Sequence, residues 1–251
     1  MSAPKVYGLI GYPLSHSFSR QYFTQKFDRL GLHDHEYRLF PLPRIEAFRA
    51  LCQDEAHLCG LNVTIPHKQA VIPFLDALDS RAERIGAVNT ILFRGGQRTG
   101  YNTDYVGFRV SLLDFLGAVP PAACPALILG TGGAAQAVRV VLEDLGMPFV
   151  FASRSPKPPR VLAYSAVRLA DFRLIINTTP LGMHPHIHQS PDIPYDQIGP
   201  HHLLFDLVYN PEETQFLTQG KSRGARTQNG LPMLHQQAEA AWEIWTTGGK
   251  Y

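Results

Sequence analysis

The sequence predicts an α/β protein built in two parts, and three observations carry that reading. Short strand patterns alternate with helical ones along almost the whole chain, the rhythm of a parallel or mixed sheet. In Gly60–Lys68, Leu61, Val63 and Ile65 alternate with Asn62 and Thr64, as in a strand with one buried face, and Pro66 then stops it. Ala126–Leu129 is apolar throughout, as in a strand covered on both faces, and runs straight into a glycine-rich turn and another helix.

The 251 residues suffice for one large domain or two small ones, and with 45% hydrophobic and 18% charged residues they can bury a sizeable core. A formal charge of +2 with no basic block points to neither nucleic acid nor a membrane surface as partner. The start of the chain has no signal-peptide pattern, and no stretch approaches the roughly 20 apolar residues that span a bilayer. Cys52, Cys59 and Cys124 are odd in number and lack C-x-x-C spacing, which suits free thiols in a reducing cytoplasm. Among the 11 histidines, His184, His186 and His188 alternate. Prolines flank them and no cysteine or carboxylate joins them locally, so the stretch reads as a loop and no metal is expected.

Taken in order, Lys5–Ile10 is a first strand. The turn-rich Gly11–Ser17 follows, then a helix on which Phe18, Tyr22, Phe23, Phe27 and Leu30 recur at helical spacing before Gly31. Ser15 and Ser17 thus stand where hydroxyls and open backbone N–H groups can hold a carboxylate or phosphate; an ordinary serine N-cap explains one of them, less well both. A strand over Glu36–Phe40 and a helix after Pro43 come next. The Asn62 strand leads to Lys68 and a helix carrying Ala70, Val71, Phe74 and Leu75. Lys68 therefore sits at the strand-to-helix rim where α/β sheets bind ligands; the plain alternative is a solvated lysine. A short helix at Ala82–Ile85 precedes the alternating strand Gly86–Phe93, and Gly95-Gly96 reads as a hairpin turn. Asp104 opens a helix carrying Val106, Val110, Leu113 and Leu116, where helix capping alone would account for a carboxylate.

Pro120–Pro125 is linker-like, and the second part begins after it. Gly130-Thr131-Gly132-Gly133-Ala134-Ala135 has the form G-x-G-x-x-A between a strand and a helix, the context the dinucleotide fingerprint requires. The next strand, Pro148–Ala152, ends in Ser153-Arg154-Ser155. A cofactor with a free 2′-hydroxyl normally meets an acidic residue there, whereas the Arg154 guanidinium suits a 2′-phosphate, so NADP is expected over NAD. A surface arginine at a strand end is the alternative. Strands at Leu174–Asn177 and Leu203–Tyr209, a helix after Asn210-Pro211 and a long final helix complete the chain. Met233, Leu234, Gln237, Ala241, Ile244 and Trp245 trace part of that helix, with Gln237 either satisfied in the core or facing a ligand.

These residues together resemble the shikimate dehydrogenase family, from Val6 to Trp245. Ser15-His16-Ser17 is similar to its carboxylate-binding S-x-S turn, and Asn62–Lys68 to its N-V-T-x-P-x-K motif with the catalytic lysine. Ala87–Thr90 and Asn102–Asp104 resemble the segments that supply a ring-hydroxyl ligand and the catalytic aspartate. Gly130–Ala134 matches the glycine loop, Ser153-Arg154-Ser155 the N-R-T slot, and Asn229–Leu234 with Gln237 the closing motif. The resemblance implies NADP-dependent, reversible reduction of 3-dehydroshikimate to shikimate. It implies an N-terminal α/β substrate domain (1–106, with a C-terminal helix 230–251 packing back on it) and a Rossmann-type NADP-binding domain with a parallel sheet (107–229), both ligands lying in the cleft between them. Lys68 and Asp104 would be catalytic. Ser15 and Ser17 would take the carboxylate, and Thr64, Asn89, Tyr209 and Gln237 would hold or line the ring. Gly130, Thr131, Gly132, Gly133, Ala134, Ser153, Arg154 and Ser155 would bind the cofactor, with Leu207 and Gly230 bordering its nicotinamide. The resemblance leaves monomer and homodimer open.

Two departures stand out. Ser153 replaces the family's Asn, and Ser155–Phe172 is too short and too rich in proline (Pro156, Pro158, Pro159) for the usual helix and strand. An abbreviated crossover lacking its first helix is expected, with a more open adenosine side and with Lys157 and Arg160 as extra phosphate contacts. The alternatives are a quinate/shikimate dehydrogenase of broader cofactor use and a non-catalytic NADP-binding module on the same fold.

Overall fold

A computed structural model describes residues 4–14, 18–156 and 161–249. The strands are β1 (Lys5–Gly11), β2 (His35–Pro41), β3 (Leu58–Val63), β4 (Ala77–Leu78), β5 (Thr90–Arg94), β6 (Gln97–Tyr101), β7 (Ala126–Leu129), β8 (Phe149–Ser153), β9 (Val161–Ala163), β10 (Leu174–Asn177), β11 (Leu203–Asp206) and β12 (Arg226–Gln228). The α-helices are α1 (Phe18–Arg29), α2 (Phe48–Asp54), α3 (Ser80–Ile85), α4 (Asp104–Leu116), α5 (Gly133–Asp144), α6 (Gln215–Lys221) and α7 (Leu231–Thr247). The chain forms two compact units, residues 1–103 with 238–251, and residues 104–237.

The first unit carries a mixed sheet in the order β2-β1-β3-β5-β6-β4, in which β1 pairs in parallel with β2 and β3, and β5 is antiparallel to both its neighbours. Gly95 and Gly96 make the β5–β6 turn, both at positive φ (59° and 78°), as a tight hairpin requires. One face of the sheet packs Tyr7 and Leu9 against Phe23 and Phe27 of α1 and Ala238, Ala241, Ile244 and Trp245 of α7. The other packs Ile10, Leu61, Val63 and Ile91 against Phe48 and Val71. The Trp245 ring lies over Gly60 and donates to the Ile91 carbonyl (3.0 Å). The indole occupies the space where a Cβ on Gly60 would stand.

Three local expectations need correction here. Strand β3 stops at Val63, and Ile65 is 56% exposed rather than on its buried face. No α-helix follows Lys68; Val71 N–H bonds the His67 carbonyl (3.0 Å) and a single 3₁₀ turn, Ile72–Phe74, ends the segment. Pro73 is the reason, since it has no N–H to give to the Gln69 carbonyl and so breaks the ladder. The strand after Gly86 begins only at Thr90, because Gly86 (φ 70°) is the left-handed C-cap of α3.

In the second unit every strand pair is parallel, in the order β12-β11-β10-β7-β8-β9. Numbered within the unit this is 6-5-4-1-2-3, the doubly wound arrangement whose ligand crevice lies where the order reverses, here between β7 and β10. Alternate residues serve opposite faces: Ala126, Ile128, Leu174, Ile176 and Phe205 meet α4 and α5, and Leu127, Leu129, Ile175 and Leu204 meet the far side. The face of α4 is rotated from expectation. Phe108, Leu112, Phe115 and Leu116 are buried and Val110 is exposed. Because α4 packs on α5, Pro120–Pro125 lies inside this unit as a short 3₁₀ turn and the border falls before Asp104.

The abbreviated crossover is present. Strand β9 starts eight positions after Ser153, with no α-helix among the described residues between them. Two 3₁₀ turns lead on to β10. Tyr164, Val167, Leu169, Phe172, Ile193 and Ile198, from 3₁₀ turns and loops, cover the sheet face that a helix would otherwise cover. Lys157 and Arg160 lie outside the described residues.

The Gly60–Trp245 packing yields a prediction. Gly60→Ala is expected to destabilise the protein by about 1–3 kcal/mol, the usual cost of overpacking, read as a lower urea midpoint at unchanged slope. An unchanged midpoint would mean that the indole is not held over Gly60.

Candidate functional site

In the first unit the polar residues gather at the C-terminal ends of β1 and β3. Gly11 brings the chain close: a Cβ there would overlap the Thr64 methyl and lie 2.9 Å from the Ile65 carbonyl. Thr64 N–H bonds the Ile10 carbonyl (2.9 Å), and Tyr12 N–H bonds that of Ile65 (3.0 Å). The turn holding Lys68 is then anchored by His67, which is buried, its Nε2 2.6 Å from the Leu42 carbonyl. The Lys68 carbonyl accepts from Val88 N–H (2.7 Å), which sets half-buried Lys68 beside the segment carrying Asn89.

Asn89 is itself buried and tightly held. Its Oδ1 accepts from Thr103 N–H (2.7 Å), and its Nδ2 donates to Thr103 Oγ1 (3.0 Å). Thr90 Oγ1 donates to the same Oδ1 (3.2 Å), and Asn62 Nδ2 reaches Thr90 Oγ1 (3.3 Å) while Asn62 Oδ1 accepts from the buried Tyr37 hydroxyl (2.7 Å). Buried polar groups must be paired, and here they pair with one another. Thr103 N–H fixes which end of the Asn89 amide is the oxygen, and so fixes the orientation of the whole side chain. Asp104 is the next residue along, buried, and first in α4. Thus Thr64, Lys68 and Asn89 share one rim. Ser15 and Ser17 lie outside the described residues.

In the second unit the glycine turn follows β7. Gly130 has φ 104°, open to glycine far more than to other residues, and a Cβ there would come within 2.9 Å of Thr178 Oγ1. Nothing stands within 4 Å of where a Cβ on Gly132 would be, and no side chain caps α5 at this N-cap. With Thr131, Gly133 and Ala134 not buried, a 12-residue helix starts without a side-chain cap beside an accessible glycine turn, the arrangement that receives a pyrophosphate. Arg154 is exposed just past the end of β8, beside Ser153, whose Oγ accepts from Ser155 N–H (3.2 Å). Gly-loop and guanidinium therefore fit a dinucleotide that carries an extra phosphate.

Further along the same rim, Gly230 N–H bonds the Val208 carbonyl (3.0 Å), and a Cβ on Gly230 would overlap the Leu207 carbonyl. Tyr209 is half-buried two residues on. Gln237 is buried on α7, where Gly107 of α4 packs so closely that a Cβ would lie 2.5 Å from the Met233 carbonyl and 3.0 Å from Gln237 Cβ. Sequence reasoning missed His67 and Asp206. Asp206 ends β11 and is fully buried, accepting from Thr214 Oγ1 (2.6 Å), Asn177 Nδ2 (2.9 Å) and Val208 N–H (3.0 Å). Its only sequence signal is an acidic residue closing an otherwise apolar strand.

A cleft of about 710 Å³ also opens in the first unit, lined by Arg49, Cys52, Asp76, Arg94 and Arg98 among others. It lies at the start of β3 and the end of β5, the rim opposite Asn89, and the bidentate Arg98–Asp76 pair (2.8 and 2.9 Å) holds its wall together. None of the expected site residues lines it.

Comparison with known proteins identifies relatives of both the sequence and the structure. A family model described as the shikimate dehydrogenase substrate binding domain matches residues 9–91. A shikimate dehydrogenase (NADP(+)) of Desulforamulus reducens is 38% identical over 264 residues, 96% of this chain and 90% of its own. Among solved structures, a shikimate dehydrogenase in complex with NADP+ superposes with a TM-score of 0.88 at 35% identity, covering 97% of this chain and 90% of the other. That of Thermus thermophilus, in complex with NADP(H) and shikimate, gives 0.85 at 32% identity, covering 97% and 94%.

Burial drives the Asp206 carboxyl up to about 7, and its three hydrogen bonds pull the other way. The fold thus favours its protonated form, a contribution complete below the ordinary carboxylate pKa and lost as pH rises through about 7. The stability of the wild type relative to Asp206→Asn is expected to fall between about pH 4 and about pH 8 in urea unfolding. A difference independent of pH would show that folding leaves the Asp206 pKa at its ordinary value.

Proposed function

This chain belongs to the shikimate dehydrogenase family, and from that premise we propose that it catalyses the NADP-dependent, reversible reduction of 3-dehydroshikimate to shikimate. The observation that carries the reading is the pair of rims described above. One offers a lysine, a threonine and an oriented asparagine for a hydroxylated ring. The other offers a glycine turn at an uncapped helix start and an arginine for a 2′-phosphate.

Reduction of a ring ketone needs a hydride at carbon and a proton at oxygen. NADPH, when bound, supplies the hydride. Lys68, as an ammonium, stabilises the alkoxide that develops and gives it the proton. Asp104 is assigned to hold that ammonium and a ring hydroxyl, Asn89 to bond a second hydroxyl, and Thr64, Tyr209 and Gln237 to line the ring. Ser15 and Ser17 are assigned the carboxylate on the family motif alone. Residues 1–106 with the final helix form the substrate domain in this reading, and 107–229 the NADP-binding domain. Gly130, Thr131, Gly132, Gly133 and Ala134 receive the pyrophosphate, Ser153, Arg154 and Ser155 the 2′-phosphate, and Leu207 and Gly230 border the nicotinamide. Three unpaired cysteines accord with a cytoplasmic enzyme. No helix among the described residues is long and apolar enough to cross a membrane.

Two variants test the assignments. Lys68→Ala is expected to lose about 10²–10⁴-fold in kcat, the range typical of a general acid, with the shikimate Kd little changed. Turnover near that of the wild type would remove Lys68 from the mechanism and favour a surface lysine. Arg154→Ala is expected to raise the KM for NADPH about tenfold or more and leave that for NADH unchanged, the loss of one charge-assisted contact. Equal effects on both cofactors would support the broader quinate/shikimate reading instead.

A further inference from the structure

Asp206 has no part in the proposed chemistry, yet it is fully buried and accepts three hydrogen bonds. It ends β11, immediately before Leu207, Val208 and Tyr209. Its Oδ1 accepts from Val208 N–H and Asn177 Nδ2, and its Oδ2 from the Thr214 hydroxyl. Thr214 in turn caps α6, accepting from Leu217 N–H (3.3 Å). One carboxyl thereby closes the loop 207–213 at both ends.

The same carboxyl reaches a second loop through Asn177. Asn177 Oδ1 accepts from the Thr179 N–H (3.1 Å) and hydroxyl (2.6 Å), and its Nδ2 also reaches the Leu181 carbonyl (3.4 Å). On the other side of the strand end, Gly230 N–H holds the Val208 carbonyl. Val208 is therefore gripped at both its N–H and its C=O, and Gly230 lies so close to the Leu207 carbonyl that a side chain there would overlap it. A backbone held so firmly at a crevice rim is arranged to present groups to a ligand rather than to move with it.

We propose that Asp206 is a positioning residue for the nicotinamide end of the cofactor, acting through the Leu207–Tyr209 backbone that it locks against Gly230. The proposal rests on the reading of NADP binding above. It predicts that loosening Asp206 harms the nicotinamide half of the dinucleotide more than the adenosine half, because Arg154 makes no hydrogen bond with this cluster among those described and the glycine turn meets it only where Gly130 packs on Thr178 and Thr179.

The test compares two probes by calorimetry, NADP+ and adenosine 2′,5′-bisphosphate, the second of which has no nicotinamide. In Asp206→Ala the Kd for NADP+ is expected to rise about tenfold through lost preorganisation, with that for adenosine 2′,5′-bisphosphate unchanged. Its kcat is expected to fall about 100-fold, the order associated with a small misplacement of reacting groups. Asp206→Asn, which keeps the shape and the Oδ1 acceptor and turns the Thr214 contact into one donated by the amide, is expected to restore most of both. Thr214→Val removes one of the three bonds, together with the α6 cap, at constant size and is expected to show the same selective loss at smaller amplitude, so that a poorly folding Asp206→Ala does not end the test. Equal weakening of both probes, or no weakening of NADP+ in either variant, overturns the positioning role alone. Wild-type protein that binds neither probe overturns the NADP reading and this proposal with it.

Discussion

The substrate half of the molecule depends on one buried amide, that of Asn89. Its oxygen and nitrogen both bond Thr103, and around it Thr90, Asn62 and Tyr37 complete a network that spans β2, β3, β5 and the exit from β6. Inside a protein such a network is all or nothing, since an unpaired buried polar group costs about 1–3 kcal/mol. Satisfying every member demands one register of β3 against β5 and one path for the chain after Tyr101. That path delivers Asp104, and the Val88 N–H on the other side of Asn89 holds the Lys68 carbonyl. The polar cluster therefore fixes one register of the sheet edge and one orientation of the Asn89 amide within it.

The nucleotide half is organised differently, by close approach of backbones. Gly130 turns under Thr178, Gly230 presses on Leu207, and Gly107 lets α7 lie almost on α4 beneath Gln237. Its sheet is buried on both faces, yet the chain provides α-helices for one face more fully than for the other. Where a crossover helix is missing, side chains from turns and loops supply the apolar cover. Hydrophobic burial is indifferent to whether a helix or a loop carries the side chain, so the sheet keeps its order while the loop chain becomes shorter.

Much of this was readable from residue order. The glycine turn stood between an apolar strand and a helix, the hairpin announced itself by Gly95-Gly96, and the proline-rich run after Ser155 excluded a helix. The failures were also physical. Ala70, Val71, Phe74 and Leu75 have helical spacing, but Pro73 withholds the one N–H on which the second turn depends. Val110 was placed on the buried side of α4 because it is apolar, whereas the helix turns Phe108 and Leu112 inward and leaves it in solvent. His67 and Asp206 were passed over because a lone histidine or aspartate has no pattern; their partners, Leu42 on one side and Asn177, Val208 and Thr214 on the other, are brought up only by folding.

The sequence alone determined the class of fold and the family, because periodicity, proline, glycine and ordered motifs are local properties of the chain. The tertiary structure decided which polar groups are buried, which way the Asn89 amide points, and that Asp206 ties three segments together. Those facts depend on groups far apart in sequence meeting at hydrogen-bond distance in a medium that leaves no polar atom unpaired without cost. No reading of neighbours along a chain contains that information.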